Sequence, residues 1–311
     1  MADMVFSGVT FSGGYSITLP PPPPSNKAIF GYGGSPGPTN LVSNTGVVAT
    51  DVTRVGTDRS AIAAAGYGTD KAIFGYGQSA GYFSMTNLVS NTGVVGNDVT
   101  GVGTARGQLA AATYGSDKAI FAYGGDPLTS VSNLVSNTGV VANDTAGVGT
   151  ARSQLAAAAY GSSGQAIFGY GLYGGPTFVS ITNLVSNTGV VATDTTGVGT
   201  GRSSLAAASY GTDKAIFGYG NNGSYGATKV SITNLVSNTG VVATDTTGVG
   251  TARNGLAAAG YGVDTAIFGY GTTGTVTSIT NLVSNTGVVA SDTTGVGTAR
   301  SGLAAASYGY A

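Results

Sequence analysis

The stretch Lys-Ala-Ile-Phe-Gly-Tyr-Gly at Lys71–Gly77 is a short apolar run closed by glycines, and the chain carries six copies of it. The copies begin at residues 27, 71, 118, 165, 214 and 265, so neighbouring copies start 44 to 51 residues apart. A second heptapeptide, Asn-Leu-Val-Ser-Asn-Thr-Gly, begins without a substitution at residues 40, 87, 133, 183, 234 and 281. A period of this length is typical of repeat architectures, so we predict one repeat-built domain over residues 27–311.

One repeat, taken from residue 253 to residue 292, contains four short runs of strand-like composition separated by glycine-bearing turns. The runs are Leu256–Tyr261, Ala266–Tyr270, Val276–Val283 and Val288–Ala290. No window shows a helical apolar stripe. Four short strands per repeat are typical of one blade of a β-propeller. The alanine run, as at Ala206–Ala208, fits an innermost strand where only small side chains find room.

The chain begins with the second strand of a repeat and ends with the first strand of another. We therefore predict an all-β, six-bladed β-propeller of four-stranded blades, in which Leu303–Tyr308 pairs with the N-terminal half-blade at Ala28–Phe30 and closes the ring. Closure would cover two sheet edges that otherwise favour aggregation. Residues 1–26 do not repeat and form an N-terminal extension.

In each repeat an Arg precedes the inner strand, and the hydrophobic second strand ends in glycines. One copy shows this as Ala252-Arg253, then Leu256–Ala259, then Ala266–Gly271. This outline resembles the kelch family of propellers, and RCC1-like repeats share it. The chain lacks the usual Trp of a kelch blade, and Gly-Tyr-Gly replaces Gly-Gly. The near-verbatim copies rich in Thr, Gly and Val resemble kelch-like repeat proteins of bacteriophage structural genes. That resemblance implies a tail- or capsid-associated protein located in the virion.

Composition excludes several classes of function. The net charge is −1 and only 8% of residues are charged, so the basic footprint of a nucleic-acid binder is absent. The sequence has no His, Cys or Glu, which excludes disulfides, thiol nucleophiles, His-based triads and Cys/His metal sites. We predict a non-enzymatic protein without cofactor or metal. No apolar run is long enough to span a membrane, and Met1–Leu19 lacks the basic start of a secretory signal.

Each repeat carries an Asp followed by an Arg eight residues later. Two interpretations stay open: a structural clamp at the turn between strands, or a ring of guanidinium groups at a channel mouth that binds an anion. The pairs are Asp51 and Arg59, Asp98 and Arg106, Asp144 and Arg152, Asp194 and Arg202, Asp245 and Arg253, and Asp292 and Arg300.

The connections between the second and third strands differ from copy to copy, and all should emerge on one face of the ring. Variation confined to one face indicates either a recognition surface or relaxed constraint on exposed loops. The candidate binding residues on this face are Tyr82, Phe83, Tyr173, Phe178, Tyr225 and Lys229.

The N-terminal extension combines strand-like apolar residues, such as Tyr15–Leu19, with a polyproline spacer at Pro20–Pro24. We interpret residues 1–24 as a docking segment that binds other virion proteins. The sequence thus predicts a virion structural protein that presents its propeller to a subunit or to a host-surface protein or glycan. The alternative is a carbohydrate-binding propeller lectin that uses aromatic and Asn side chains between blades.

Overall fold

The computed structural model describes residues 26–175, 177–223 and 228–309, and the secondary structure within these ranges consists of β-strands. The predicted docking extension lies outside the described residues except for Asn26. Over the ranges described, no helix has the length and hydropathy that a membrane crossing requires.

Six three-stranded antiparallel sheets form the body of the described chain, one for each repeat. Each sheet runs from an alanine-rich inner strand through a central strand to a third strand. The inner strands are β3 (Ala63–Tyr67), β6 (Ala110–Tyr114), β9 (Ala156–Tyr160), β14 (Ala206–Tyr210), β17 (Ala257–Tyr261) and β20 (Ala304–Tyr308). The central strands are β1 (Lys27–Gly31), β4 (Lys71–Gly75), β7 (Lys118–Ala122), β10 (Gln165–Gly169), β15 (Lys214–Gly218) and β18 (Thr265–Gly269).

The third strands carry the Asn-Leu-Val part of the second heptapeptide. They are β2 (Thr39–Val42), β5 (Thr86–Val89), β8 (Ser132–Val135), β13 (Thr182–Val185), β16 (Thr233–Val236) and β19 (Thr280–Val283). A seventh sheet is a small hairpin, β11 (Leu172–Tyr173) with β12 (Thr177–Phe178), in the connection that follows β10.

The prediction of four strands per sheet is wrong in its count, because the fourth run pairs only through isolated bridges. In one sheet the bridges are Val283 with Val289 and Thr280 with Thr293. Between these two bridges β19 advances by three residues and the outer run by four. The outer run therefore has one extra residue, which is a β-bulge. Asn281 occupies the gap by donating its side-chain N–H to the Ala290 carbonyl at 3.0 Å. The bulge interrupts the ladder and leaves an outer segment rather than a regular strand.

Packing between neighbouring sheets explains the glycine that ends each central strand. A Cβ on Gly31 would lie 2.6 Å from Cζ of Phe74 in the next sheet. The third copy has Ala122 at this position, and there the Tyr123 and Phe168 ring centroids are 5.4 Å apart. The corresponding aromatic pairs in the other copies are 5.1 to 5.2 Å apart. The added methyl group is accommodated by a small displacement of the aromatic pair.

The two ends of the chain meet in one sheet. β20 pairs with β1 in the register Lys27 with Tyr308 through Gly31 with Ala304, as predicted from the terminal half-repeats. The inner strands also lie side by side in the order β3, β6, β9, β14, β17 and β20, and β20 lies beside β3. The six sheets remain separate hydrogen-bonded units, and they meet through packing and the bonds described next.

The strand directions give the molecule two faces. The variable connections leave the glycine ends of the central strands, and we call this end the loop face. The opposite end, with the tight turns between inner and central strands such as Gly68–Asp70, is the turn face. Asn26 and Gly309 lie on the turn face, because Lys27 pairs with Tyr308 there.

On the loop face, six backbone bonds form what we call the loop-face cycle. Each N–H donates at 2.8 to 2.9 Å to the carbonyl of the equivalent residue in the preceding copy. Ala61 donates to Gly302, so the order of donors returns to its start. The members are Ala61, Gln108, Gln154, Ser204, Gly255 and Gly302.

A second set, the turn-face cycle, links the tight turns at 2.6 to 2.8 Å. Gly262 donates to Asn26 and Gly309 donates to Asp70, so both chain ends belong to this cycle. The other donor and acceptor pairs are Gly68 and Asp117, Gly115 and Gly164, Gly161 and Asp213, and Gly211 and Asp264.

Candidate functional site

Each repeated Arg is a buried connector at the loop face, and at most 2% of it is exposed. Arg253 precedes inner strand β17, and its Nε donates to the Tyr270 carbonyl, at the end of β18, at 2.8 Å. Its two terminal nitrogens donate to the Thr251 carbonyl at 3.1 Å and to Asn281 Oδ1 on β19 at 2.7 Å. One guanidinium group therefore ties together all three strands of its sheet.

The repeated Asp completes the same unit from the outer segment. Asp292 follows the bulge and accepts hydrogen bonds from the Thr251 backbone N–H at 3.0 Å and from Asn281 Nδ2 at 2.9 Å. A carboxylate that accepts several donors near a guanidinium group is strongly held. The clamp of this sheet thus consists of Thr251, Arg253, Asn281 and Asp292.

The structure groups these twelve residues differently from their order along the sequence. The Asp and the Arg that lie eight residues apart in the sequence belong to neighbouring sheets. Each Arg instead faces the Asp that follows the third strand of its own sheet. Arg59 and Asp98 approach to 3.5 Å. The groupings are Arg59 with Asp98, Arg106 with Asp144, Arg152 with Asp194, Arg202 with Asp245, Arg253 with Asp292, and Arg300 with Asp51.

Each Arg also joins its sheet to the preceding one. The guanidinium carbon of Arg253 lies 4.3 Å from the centre of the Tyr219 ring, and the other copies give 4.1 to 4.7 Å. A desolvated cation–π contact contributes about 2 kcal/mol. Tyr219 then donates from its hydroxyl to the Val249 carbonyl at 3.1 Å. Cation, ring and hydroxyl are all engaged at the interface between sheets.

The clamp changes the acid–base behaviour of its members. Burial alone would raise the pKa of the Asp292 carboxyl, but the hydrogen bonds from Thr251 and Asn281 and the charge of Arg253 outweigh it. The pKa of Asp292 therefore lies below its ordinary value. Burial raises the pKa of Tyr32 and of Tyr76 to about 12, so both phenols stay protonated at physiological pH.

The predicted recognition residues are distributed over several loops of the loop face. Tyr82 is 39% exposed and Tyr173 is 50% exposed, whereas Phe83 and Phe178 are half-buried. Phe83 is held by backbone bonds to Gly77 and Arg106. Lys229 is half-buried and bridges to Asn221. Tyr225 lies outside the described residues. The two exposed rings, Tyr82 and Tyr173, belong to the second and fourth sheets, and the third sheet lies between these.

A cavity of about 330 Å³ opens at the turn face, where the inner strands converge. Its walls are the last residues of the inner strands and the turns that follow them. Asn26, the first described residue, is among the lining residues.

Sequence reasoning missed three parts of this arrangement. The Tyr beneath each Arg, the Asn that bonds both Arg and Asp, and the turn-face cavity were not identified as sites. Two signals were present: the invariant Asn of the second heptapeptide, and the hydroxyl residues in the tight turns, such as Thr69 and Ser116.

Comparison with protein-family models and with curated protein sequences finds no match to this chain.

Proposed function

We propose that the six sheets are the blades of a six-bladed β-propeller, each blade being three strands and one bulged outer segment. Two observations support this architecture. The loop-face and turn-face cycles each contain one member pair per copy and return to their start. The inner strands neighbour one another in the same cyclic order.

We infer that the molecule is a two-sided connector, because its attachments leave from opposite faces. Asn26 is held on the turn face by backbone bonds to Gly262 at 2.6 and 2.9 Å. The variable connections with Tyr82 and Tyr173 lie on the loop face, at the ends of the central strands opposite to Asn26. A partner bound by residues 1–24 would therefore leave the loop face directed away from it. This separation of the two faces is the observation that carries the proposal.

In this proposal the chain is a non-enzymatic structural component of a virus particle of the bacteriophage type, associated with the tail or capsid. Residues 1–24 bind another particle protein, and the loop face contacts a further subunit or the host surface. Charge placement supports a scaffold role, because the repeated Arg and Asp residues are engaged in clamps that hold the sheets. The near-identical copies supply a rigid frame, and the variable connections supply the differences that recognition needs.

The test uses particles assembled in cells that supply either the full chain or the chain without residues 1–24. Mass spectrometry of purified particles should detect the full chain and not the deletion variant. The purified variant should melt at the same temperature as the full chain, since it retains Asn26 and every described strand. Normal incorporation of the deletion variant would contradict the anchoring role.

A matched variant separates anchoring from recognition. Tyr82→Ser with Tyr173→Ser changes the loop face only, so particles should incorporate it at the normal level. Those particles should adsorb to host cells more slowly than particles with the full chain. Equal adsorption would remove the recognition role of the loop face and leave the anchoring role intact.

A further inference from the structure

The floor of the turn-face cavity is formed by the fourth residue of each inner strand, and this position alternates in character around the molecule. Gly66, Ala159 and Gly260 alternate with hydroxyl-bearing residues in the intervening copies. The intervening residues are Thr113, Ser209 and Ser307.

Each floor hydroxyl donates to the backbone carbonyl of the preceding copy. Thr113 donates to Gly66 at 2.9 Å, Ser209 to Ala159 at 2.8 Å and Ser307 to Gly260 at 2.7 Å. A hydroxyl that has donated its single proton retains lone pairs that accept. The floor therefore presents oxygen atoms suited to a ligand that donates hydrogen bonds.

The rim of the cavity carries exposed hydroxyls on backbone of unusual conformation. Thr69, Ser116 and Thr212 have φ angles of 68°, 69° and 67°, in the left-handed region that residues other than Gly and Asn rarely adopt. All three line the cavity. The Thr69 hydroxyl donates to the adjacent Gly68 carbonyl at 2.6 Å and keeps lone pairs that accept, so the rim offers further hydroxyl oxygens at positions that glycine would occupy without strain.

Charge at the cavity is balanced. Among the described lining residues, the charged ones are Lys71 and Asp264. Lys71 Nζ lies 3.0 Å from Asp70 Oδ1, and Asp264 accepts from Asn285 Nδ2 at 3.0 Å. The lining thus suits a ligand that is neutral and rich in hydroxyl groups. The volume lies near the lower end of the roughly 300–1,000 Å³ typical of small-molecule sites.

We propose that the turn-face cavity binds a neutral saccharide unit. The sugar hydroxyls donate to the oxygens of Thr113, Ser209 and Ser307 and exchange hydrogen bonds with the rim hydroxyls. This site lies on the opposite face from the variable connections and does not depend on the anchoring or recognition roles proposed above.

The experiment titrates the full chain with glucose, galactose, mannose and N-acetylglucosamine, using calorimetry and saturation-transfer NMR. At least one sugar should bind. Saturation should then pass from the protein to the same subset of that sugar's protons in every titration. A triple variant, Thr69→Gly with Ser116→Gly and Thr212→Gly, should bind that sugar at least about tenfold more weakly, since three hydrogen-bonding groups are lost. The same variant should melt at a higher temperature, because glycine relieves the left-handed strain.

These opposite changes distinguish binding from structure. A purely structural role predicts the higher melting temperature with unchanged affinity, and that result would overturn the proposal. Thr273→Ala, an exposed hydroxyl change on the loop face, should alter neither quantity. Failure of all four sugars to bind the full chain would also overturn it, as would binding seen only after residues 1–25 are removed.

Discussion

At the residue scale, the molecule depends on a guanidinium group that is buried in each sheet, held by hydrogen bonds and an aromatic ring, with one Asp carboxylate beside it. Arg253 donates to two backbone carbonyls and one amide oxygen and stacks on Tyr219. A lysine ammonium has neither the planar fork nor the flat face that these contacts use. Because the group is fully buried, losing part of this set leaves polar atoms without partners.

Arg253→Lys should lower the free energy of unfolding by about 2–4 kcal/mol, in line with breaking a buried charged network. Chemical denaturation monitored by tyrosine fluorescence measures this change. Arg54→Lys is the control, since Arg54 is about a quarter exposed and pairs with Asp58 near the surface. The control should cost less than about 1 kcal/mol. If both variants lost the same free energy of unfolding, the buried contacts of Arg253 would contribute no more to stability than the surface pair of Arg54.

At the element scale, the strands of the repeat were predictable because glycine turns separate short apolar runs. The outer segment was not, because Val288–Ala290 has the composition of a strand and nothing local reveals the bulge opposite Thr280–Val283. The clamp partners were also unpredictable from spacing. Arg253 meets Asp292 rather than Asp245, because Asp245 ends the outer segment of the preceding sheet. Arg253 begins the inner strand of the next sheet, whose own outer segment carries Asp292.

The predicted pairing of Leu303–Tyr308 with Ala28–Phe30 was accessible from sequence because the terminal half-repeats complement each other. The recognition residues were predicted as one surface, and the structure places Tyr82 and Tyr173 on one face but two sheets apart. Strand direction fixes the face from which a connection leaves, but the sequence of a connection does not fix how far its side chains extend.

The clamps also predict how stability depends on pH. The carboxyls of the repeated Asp residues have a lower pKa in the folded chain than the ordinary value of 3.8. Their stabilisation is therefore complete above that value and is lost as the pH falls below it toward the folded pKa. The melting temperature should fall steeply from about pH 4 toward pH 2.

Asp292→Asn tests the origin of this acid sensitivity. The variant should lower the free energy of unfolding by about 1–3 kcal/mol at neutral pH, because hydrogen bonds to a charged group are lost. Its melting temperature should also fall less between about pH 4 and pH 2 than that of the unchanged chain. Asp213→Asn is the control: this carboxylate lies in a tight turn and pairs with Lys214, whose side chain is 44% exposed, so the substitution should leave neutral stability nearly unchanged. A melting temperature that is the same at pH 2.5 and pH 6 would contradict the clamp account.

At the scale of the whole molecule, stability is distributed over similar sheets, so each sheet depends on both neighbours. The two hydrogen-bond cycles pass through every copy, and the sheet made from both chain ends is the one place where no covalent turn joins inner and central strands. Tyr308 is nonetheless as buried as its equivalents Tyr67 and Tyr114, at 3% exposure. The contacts at the chain ends therefore match those within the chain.

Deleting residues 301–311 should lower the melting temperature by at least about 10 °C, since several kcal/mol of pairing and burial are lost. The loss follows because β1 would lose its whole register with β20 and one member of each hydrogen-bond cycle would be absent. Differential scanning calorimetry measures the change. A melting temperature within a degree or two of the full chain would mean that the terminal strand contributes little.

The most direct measurement of closure is an engineered disulfide in a chain that contains no Cys. Ala28 and Ser307 are register partners across the chain ends, and Ala215 and Ser209 are the equivalent partners within one hairpin. If the ends meet as described, Ala28→Cys with Ser307→Cys forms an intramolecular disulfide as completely as Ala215→Cys with Ser209→Cys, by intact mass and thiol titration. Free thiols or intermolecular dimers in the first variant, with a complete bond in the second, would contradict the account.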